Sequence, residues 1–531
     1  MYLIKIKWFM KGMSITIWNC NFICFIVFIC FSEMLFASDM LFAKEGLKKN
    51  SLKTDKPRIV NAPLKNPSLK DGVNNHSISH LIEKSIVQSG VSKHQLGIIV
   101  ASSESIFYQL NEDKKFIPAS LAKILTASAL LELLKPSLTF NTGFLATKKV
   151  KGSILPGNLY LKGGGDPGFV SESLWNLVNN LTRTGVKVIE GDLIVDDSRF
   201  DKQRRQSRLS KASHFSYDAP VGALSFNWNT ANIYIRPIKK NTPLKITIDP
   251  VSSYFSSIDN RTKTLNSSKK KRNIIIQRKK DKDKDKESLK ITGSLPIHHK
   301  EVLIYRNILY PELWTGWNAI EFLKQRDIKV KGTVRRGRVP KSAKVLAHWE
   351  SRPLTDYITL MMKYSNNFMV EMLVKNMVVE LKNKPGNLND GLDIMRNYLK
   401  TKGIKKHEYI LEQASGLSRK NQLQVKHLLK ILRYWLNHPL QPEFESAFPL
   451  SGEDGTLKKY FVNDELNAQV HAKTGSINGV VGLAGYMVNQ KKEKKIFIFL
   501  FNGSQTLRKK IESLFKKWTY IIWKSYPSTS A

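Results

Sequence analysis

Residues 118–134, Pro-Ala-Ser-Leu-Ala-Lys-Ile-Leu-Thr-Ala-Ser-Ala-Leu-Leu-Glu-Leu-Leu, decide how this chain is read. Apolar side chains at Leu121, Ile124, Leu125, Leu131 and Leu134, with the small Ser128 between them, have the spacing of a helix, and Lys135-Pro136 closes it. Ser120 then stands at a helix N-terminus, and Lys123 follows three residues on along the same face. A hydroxyl in that place has a candidate base one turn away and free backbone N–H groups beside it. Spacing alone does not single it out, because Ser-x-x-Lys recurs at Ser267, Ser268 and Ser513. What distinguishes Ser120 is what the chain supplies later.

The 531 residues exceed one ordinary core, so two or three domains are expected, and 42% apolar residues is a globular composition. A net charge of +41 fits nucleic acid, anionic membrane lipid or an anionic wall polymer as neighbour, or equally a compositional habit of the source genome, since lysine is spread over the whole chain. Residues 1–37 read as a signal peptide or anchor: Lys5, Lys7 and Lys11 precede an apolar run from Ile15 to Phe31. This places the protein outside the cytoplasm, in the periplasm or cell-wall space, and tethers it there if the segment is not removed. All three cysteines, Cys20, Cys24 and Cys30, fall within that segment, which leaves the remainder without disulfide or thiolate chemistry.

Residues 38–76 are a basic linker with no sustained period. A short helix is expected around 78–87, then a hairpin over 95–112 leading into the Ser120 helix. Leu161-Lys-Gly-Gly-Gly-Asp-Pro167 invites a phosphate-loop reading, but no Gly-Lys-Ser/Thr follows, so it is read as a turn. The stretch 262–288, with its Lys-Asp repeats, is expected to be a flexible charged loop. It has no aromatics among its cations, and together with the export segment this argues against nucleic acid. Helical periods return after 319, a long one over 356–380 being broken at Tyr364-Ser365-Asn366-Asn367. Two apolar strands over 479–503 and a final amphipathic helix end the chain.

Three motifs thus stand in order: Ser120-Leu-Ala-Lys123, Ser365-Asn366-Asn367 and Lys473-Thr474-Gly475, the last occurring once. With Leu161–Pro167, Gly191–Asp201, Tyr217–Asn229, Ser415-Gly-Leu-Ser-Arg419 and Gly452–Lys459, the chain resembles the D-alanyl-D-alanine carboxypeptidase/endopeptidase family, the class C low-molecular-mass penicillin-binding proteins. The wide separation of the first two motifs is that class's pattern.

The resemblance implies an α/β (α+β) fold of the penicillin-recognising transpeptidase/β-lactamase type, an antiparallel sheet flanked by helices. A catalytic domain in two parts, 77–150 and 345–531, would enclose a mostly β insertion over 151–344. It implies Ser120 as nucleophile and Lys123 as base, its pKa depressed by burial and by Lys473. Ser365 would relay a proton between Lys123 and the leaving amine, and Asn367 would hold Lys123 and the substrate amide. Lys473 and Thr474 would take the terminal carboxylate of a peptidoglycan stem peptide. Gly475 would let the peptide lie on the strand edge, and the N–H groups of Ser120 and Ser476 would form the oxyanion hole. Asn478, Arg419 and Asp196 would contact the outer stem peptide, although Gln413-Ala414 departs from the family's usual Asp-Gly. β-Lactams would act as inhibitors. No cofactor and no metal are implied, the histidine and cysteine spacings of metal sites being absent. Two other readings are a β-lactamase-like hydrolase, against which stands the lack of a class A Glu motif, and a catalytically idle basic wall-binding protein, against which stands the intact trio. The sequence leaves the oligomeric state open.

Overall fold

The computed structural model describes residues 73–205, 213–266, 273–281, 285–462 and 464–526. The signal segment and nearly all of the linker lie outside the described residues. The functional half is organised on a five-stranded antiparallel sheet, in the order Val470–Ile477, Val480–Val488, Lys494–Asn502, Leu96–Ala101, Ile106–Leu110. The period-two alternation of a strand serves two cores at once. Phe497, Phe499 and Phe501 pack with Leu96, Ile98 and Val100 under helices Asn75–Ser89 and Arg508–Trp523. Ile496, Ile498 and Leu500 face the other way, onto Ile99, Ala101 and the helix Ala122–Leu133. That helix is buried almost all round, with Leu354–Lys363, Asn367–Lys382, Leu388–Thr401 and Val425–Leu436 contributing to the same core. Among the described residues no helix is long and apolar enough to cross a membrane.

The inserted segment carries its own sheets. One runs Val334–Arg336, Leu193–Asp196, Leu159–Lys162, Asn141–Ala146, Lys344–Glu350. Its pairing includes strands just outside the 151–344 expected from composition, because Asn141–Ala146 and Lys344–Glu350 pair with each other. The Gly-Gly-Gly-Asp-Pro turn joins this sheet to the catalytic helices: Asp166 Oδ1 accepts from Tyr357 Oη (2.6 Å) and its Oδ2 from Trp349 Nε1 (3.2 Å).

One expectation is corrected. The segment 262–288 is not a flexible loop over its described part. Phe255–Leu265, Asn273–Lys280 and Glu287–Pro296 form a three-stranded sheet. Its inner face buries Ile276, Leu289 and Ile291 around an ion pair, Arg278 Nε to Glu287 Oε1 at 2.8 Å, with side-chain exposures of 2% and 0%. The charged composition masked a strand in which Ile274, Ile276 and Arg278 alternate inward. The Lys-Asp repeat at its tip lies partly outside the described residues.

Candidate active site

Ser120 sits in a 3-10 turn, Ala119–Leu121, that runs directly into the helix Ala122–Leu133. The turn is strained and over-determined. Ala119 has φ +48°, a region costly for a residue with a Cβ. The preceding Ile117 is pinned on both sides by one amide: Asn502 Oδ1 accepts its N–H (2.7 Å) and Asn502 Nδ2 donates to its carbonyl (3.1 Å). Gly416, at φ +80°, closes over the turn, where a Cβ would lie 1.9 Å from Ala119 O. Gly475 is needed for a related reason. A Cβ there would meet Pro118 O at 3.0 Å and Leu121 Cγ at 3.1 Å, so this glycine brings the edge strand against the turn that carries Ser120.

Lys123 is fully buried, and its ammonium donates to Ser120 Oγ (2.9 Å), Asn367 Oδ1 (2.7 Å) and Ser415 O (2.7 Å). Burial pushes its pKa down from the usual 10.5 to about 7, opposed by the carboxylate of Glu371. The mutual effect of the two lysines falls on the other partner. Lys473, also fully buried, is pushed well below the ordinary lysine range, first by burial and then by Lys123.

The second motif divides its labour. Ser365 occupies the turn between two helices with φ +55°. Asn366 is the N-cap of Asn367–Lys382, its side chain accepting from Met369 N–H (3.1 Å), a structural task. Asn367 Nδ2 donates to Tyr217 O (3.1 Å) on the insert, which turns Oδ1 toward Lys123. Ser365 Oγ accepts from Lys473 Nζ at 2.9 Å, so the second motif touches both lysines.

On the edge strand Val470–Ile477, Thr474 Oγ1 donates to Thr456 Oγ1 (2.8 Å) and Ser476 Oγ accepts from Arg508 Nη1 (2.7 Å). Along such a strand alternate residues turn their N–H outward. Ala472 N–H bonds Pro449 O beyond the ladder (3.0 Å), so the N–H of Ser476 points from the same edge. Backbone donors of Ser120 and Ser476 are therefore available beside one another's elements.

The outer residues divide. Exposed Arg419 and Asn478 are brought together, Arg419 Nη1 donating to Asn478 O at 2.5 Å. Asp196 is not brought to them. It is 3% exposed, and its carboxylate is spent on the insert's own backbone, Oδ1 on Ser198 N–H (2.8 Å) and Oδ2 on Val339 N–H (2.7 Å). The expected contact of Asp196 with the outer stem peptide is corrected accordingly.

Sequence reasoning missed Asn502, Thr456, Tyr217 and Glu371. Glu371 was legible in part, lying four residues after Asn367 and so on its helical face. Asn367 and Glu371 line a small cleft together with Arg204, Arg205, Tyr217 and Asp218 from the insert. Among the described residues no group of three or more His, Cys, Asp and Glu side chains is placed to hold a metal ion.

The fold is of the penicillin-recognising transpeptidase/β-lactamase type, an antiparallel sheet flanked by helices with the Ser120 helix under its edge. Residues 78–519 match the D-Ala-D-Ala carboxypeptidase 3 (S13) family, and the chain belongs to it. It is therefore a serine-type D-Ala-D-Ala carboxypeptidase. The D-alanyl-D-alanine carboxypeptidase of Actinomadura sp. strain R39 is 28% identical over 436 residues, covering 78% of each chain. The D-alanyl-D-alanine carboxypeptidase DacB of Haemophilus influenzae is 26% identical over 419 residues, 76% of this chain and 84% of that one. The crystal structure of penicillin binding protein 4 (dacB) from Haemophilus influenzae superposes with a TM-score of 0.71 at 24% identity, over 84% of this chain and 99% of that one, and shows the fold.

Proposed function

We propose that the chain hydrolyses the D-Ala-D-Ala bond of peptidoglycan stem peptides, and the cross-links that present a similar bond, through an ester on Ser120. Lys123 takes the Ser120 proton as Oγ attacks the carbonyl carbon. The oxyanion is held by the N–H groups of Ser120 and Ser476, and collapse breaks the C–N bond. Ser365, its Oγ held by Lys473, relays to the leaving amine the proton that Lys123 took, which returns Lys123 to the free base. Asn367 keeps Lys123 in line and offers its amide to the substrate. Lys473 and Thr474 receive the terminal carboxylate, with Gly475 holding their strand against the turn, and Arg419 with Asn478 borders the outer peptide. Water then hydrolyses the ester by the same route.

The reading is carried by one observation: a fully buried lysine whose ammonium lies 2.9 Å from the Ser120 hydroxyl. β-Lactams fit the same reaction, since their strained amide presents a carbonyl and a carboxylate alike. The Haemophilus influenzae protein has been crystallised in complex with a novel β-lactam. The site acts from an exported protein, delivered by residues 1–37, with the insert of residues 151–344 and the flanking strands of its sheet forming one wall.

Penicillin should form a stable adduct on Ser120, located by mass spectrometry of the digested protein, and Ser120→Ala should abolish it. An adduct on another serine rejects the assignment.

A further inference from the structure

The helix Asn367–Lys382 carries three polar residues at four-residue steps on one face, Asn367, Glu371 and Lys375. Two have evident partners. Asn367 holds Lys123 and the Tyr217 carbonyl, while Lys375 donates to Asp201 Oδ1 and Gln203 O, both at 2.6 Å. Glu371, between them, is 6% exposed, and its Oε1 has no hydrogen-bond partner among the described residues. Its carboxyl lies against Ser415 and Gln413, and Ser415 is the residue whose carbonyl accepts from Lys123 at 2.7 Å. Burial pushes the Glu371 pKa up, opposed by its contacts with Ser415 and Gln413 and by the charge of Lys123, and a core position would be filled more stably by an apolar side chain.

We propose that Glu371 is a positioning residue for acylation, a buried carboxylate that acts through Lys123 by stabilising the ammonium formed when Ser120 yields its proton. The inference rests on the assignment of Ser120 and Lys123 above. Glu371 makes and breaks no bond. The proton passes from Ser120 Oγ to Lys123 Nζ as the Oγ–carbonyl bond forms, and the positive charge that appears on Nζ finds a fixed negative charge already in place. Lys473, the other buried lysine of the site, is itself lowered by Lys123 and does not offset Glu371. The remaining charged neighbours of Glu371 line the cleft: Arg204, Arg205 and Asp218, with Tyr217 beside them. Arg204 is occupied by Asp197 and Glu312, and Arg205 faces Asp218, so neither neutralises Glu371.

The test is the pH profile of acylation by penicillin, which has no stem-peptide side chain to engage the cleft. Wild type and Glu371→Gln are compared by stopped flow from pH 5 to 9, after circular dichroism shows that both are folded. Loss of the carboxylate makes Lys123 a weaker base. In the Gln variant the acid limb should therefore move down by about one unit, and the plateau should fall toward the roughly tenfold that a base one unit weaker can lose at most. Glu371→Asp, which keeps the charge, should lie between the two, and it carries the test if the Gln variant does not fold. A purely structural role would lower stability without moving the limb. A wild-type protein that is not acylated on Ser120 refutes the underlying assignment. A wild type acylated there, with a substituted protein matching its limb and plateau, overturns the role of Glu371 alone.

Discussion

Lys123 accepts a proton only when neutral, and burial makes that possible near neutrality by holding its pKa at about 7. The sign follows directly. Below that pH the ammonium dominates and acylation slows about tenfold per unit, while above it the rate levels off. The penicillin acylation rate should accordingly show an acid limb near pH 7 and not near the 10.5 of a free lysine. Lys123→Ala should retain the fold and lose ~10²–10⁴-fold in that rate, the usual contribution of a general base. Acylation of Lys123→Ala within about threefold of wild type would assign the proton to another group. Ala119 and Ser365, both at positive φ, add a further point at this scale. The strain sits beside Ser120 and within the second motif, where the surrounding contacts over-determine the backbone.

At the scale of elements, the nucleophile helix is anchored by a polar hub on its far side. Ser128 Oγ and Tyr398 Oη lie 2.5 Å apart, and Trp435 Nε1 donates to Ser128 Oγ at 2.7 Å, all of it buried. Ser128→Ala leaves the indole N–H and the phenol without that partner, so stability should fall by ~1–3 kcal/mol in denaturant titration. A second element-scale case is the strand pair that carries Arg278 and Glu287. Glu287 also accepts from Tyr254 Oη (2.7 Å) and Leu309 N–H (3.0 Å). Removing one member of such a buried pair costs ~3–5 kcal/mol, because the other charge is left uncompensated. Glu287→Ala should therefore lower the thermal transition of the insert, read by calorimetry. An unchanged transition would mean that these strands contribute nothing to it.

For the whole molecule, the net charge of +41 is the dominant long-range feature. If it serves an anionic membrane surface, co-sedimentation with vesicles containing anionic lipid should be strong at ~0.01 M salt and vanish toward ~1 M, as the Debye length shrinks from ~30 to ~3 Å. Salt-independent retention would instead point to an apolar contact. The insert, meanwhile, is not an appendage. Through Tyr217 O it orients Asn367, and through Asp166 it holds the helix that leads to Ser365, so the residues we propose as catalytic are positioned from both halves of the chain.

The sequence by itself determined the chemistry and most of the secondary structure. Ser120 and Lys123 are neighbours on one helical turn, Ser365-Asn366-Asn367 breaks a helical period, and Lys473-Thr474-Gly475 precedes an apolar strand, all of which are local patterns. The strands 479–489 and 494–503 and the final helix were legible for the same reason. Only the tertiary structure decided what depends on distant contacts. It turned Asp196 onto Val339 N–H, brought Gly475 against the Ser120 turn, and buried Glu371 against Ser415. It also folded a lysine-rich stretch around Arg278 and Glu287, because a single buried ion pair is invisible to composition. Burial, which sets the state of Lys123, is a property of the packed molecule and of no residue alone.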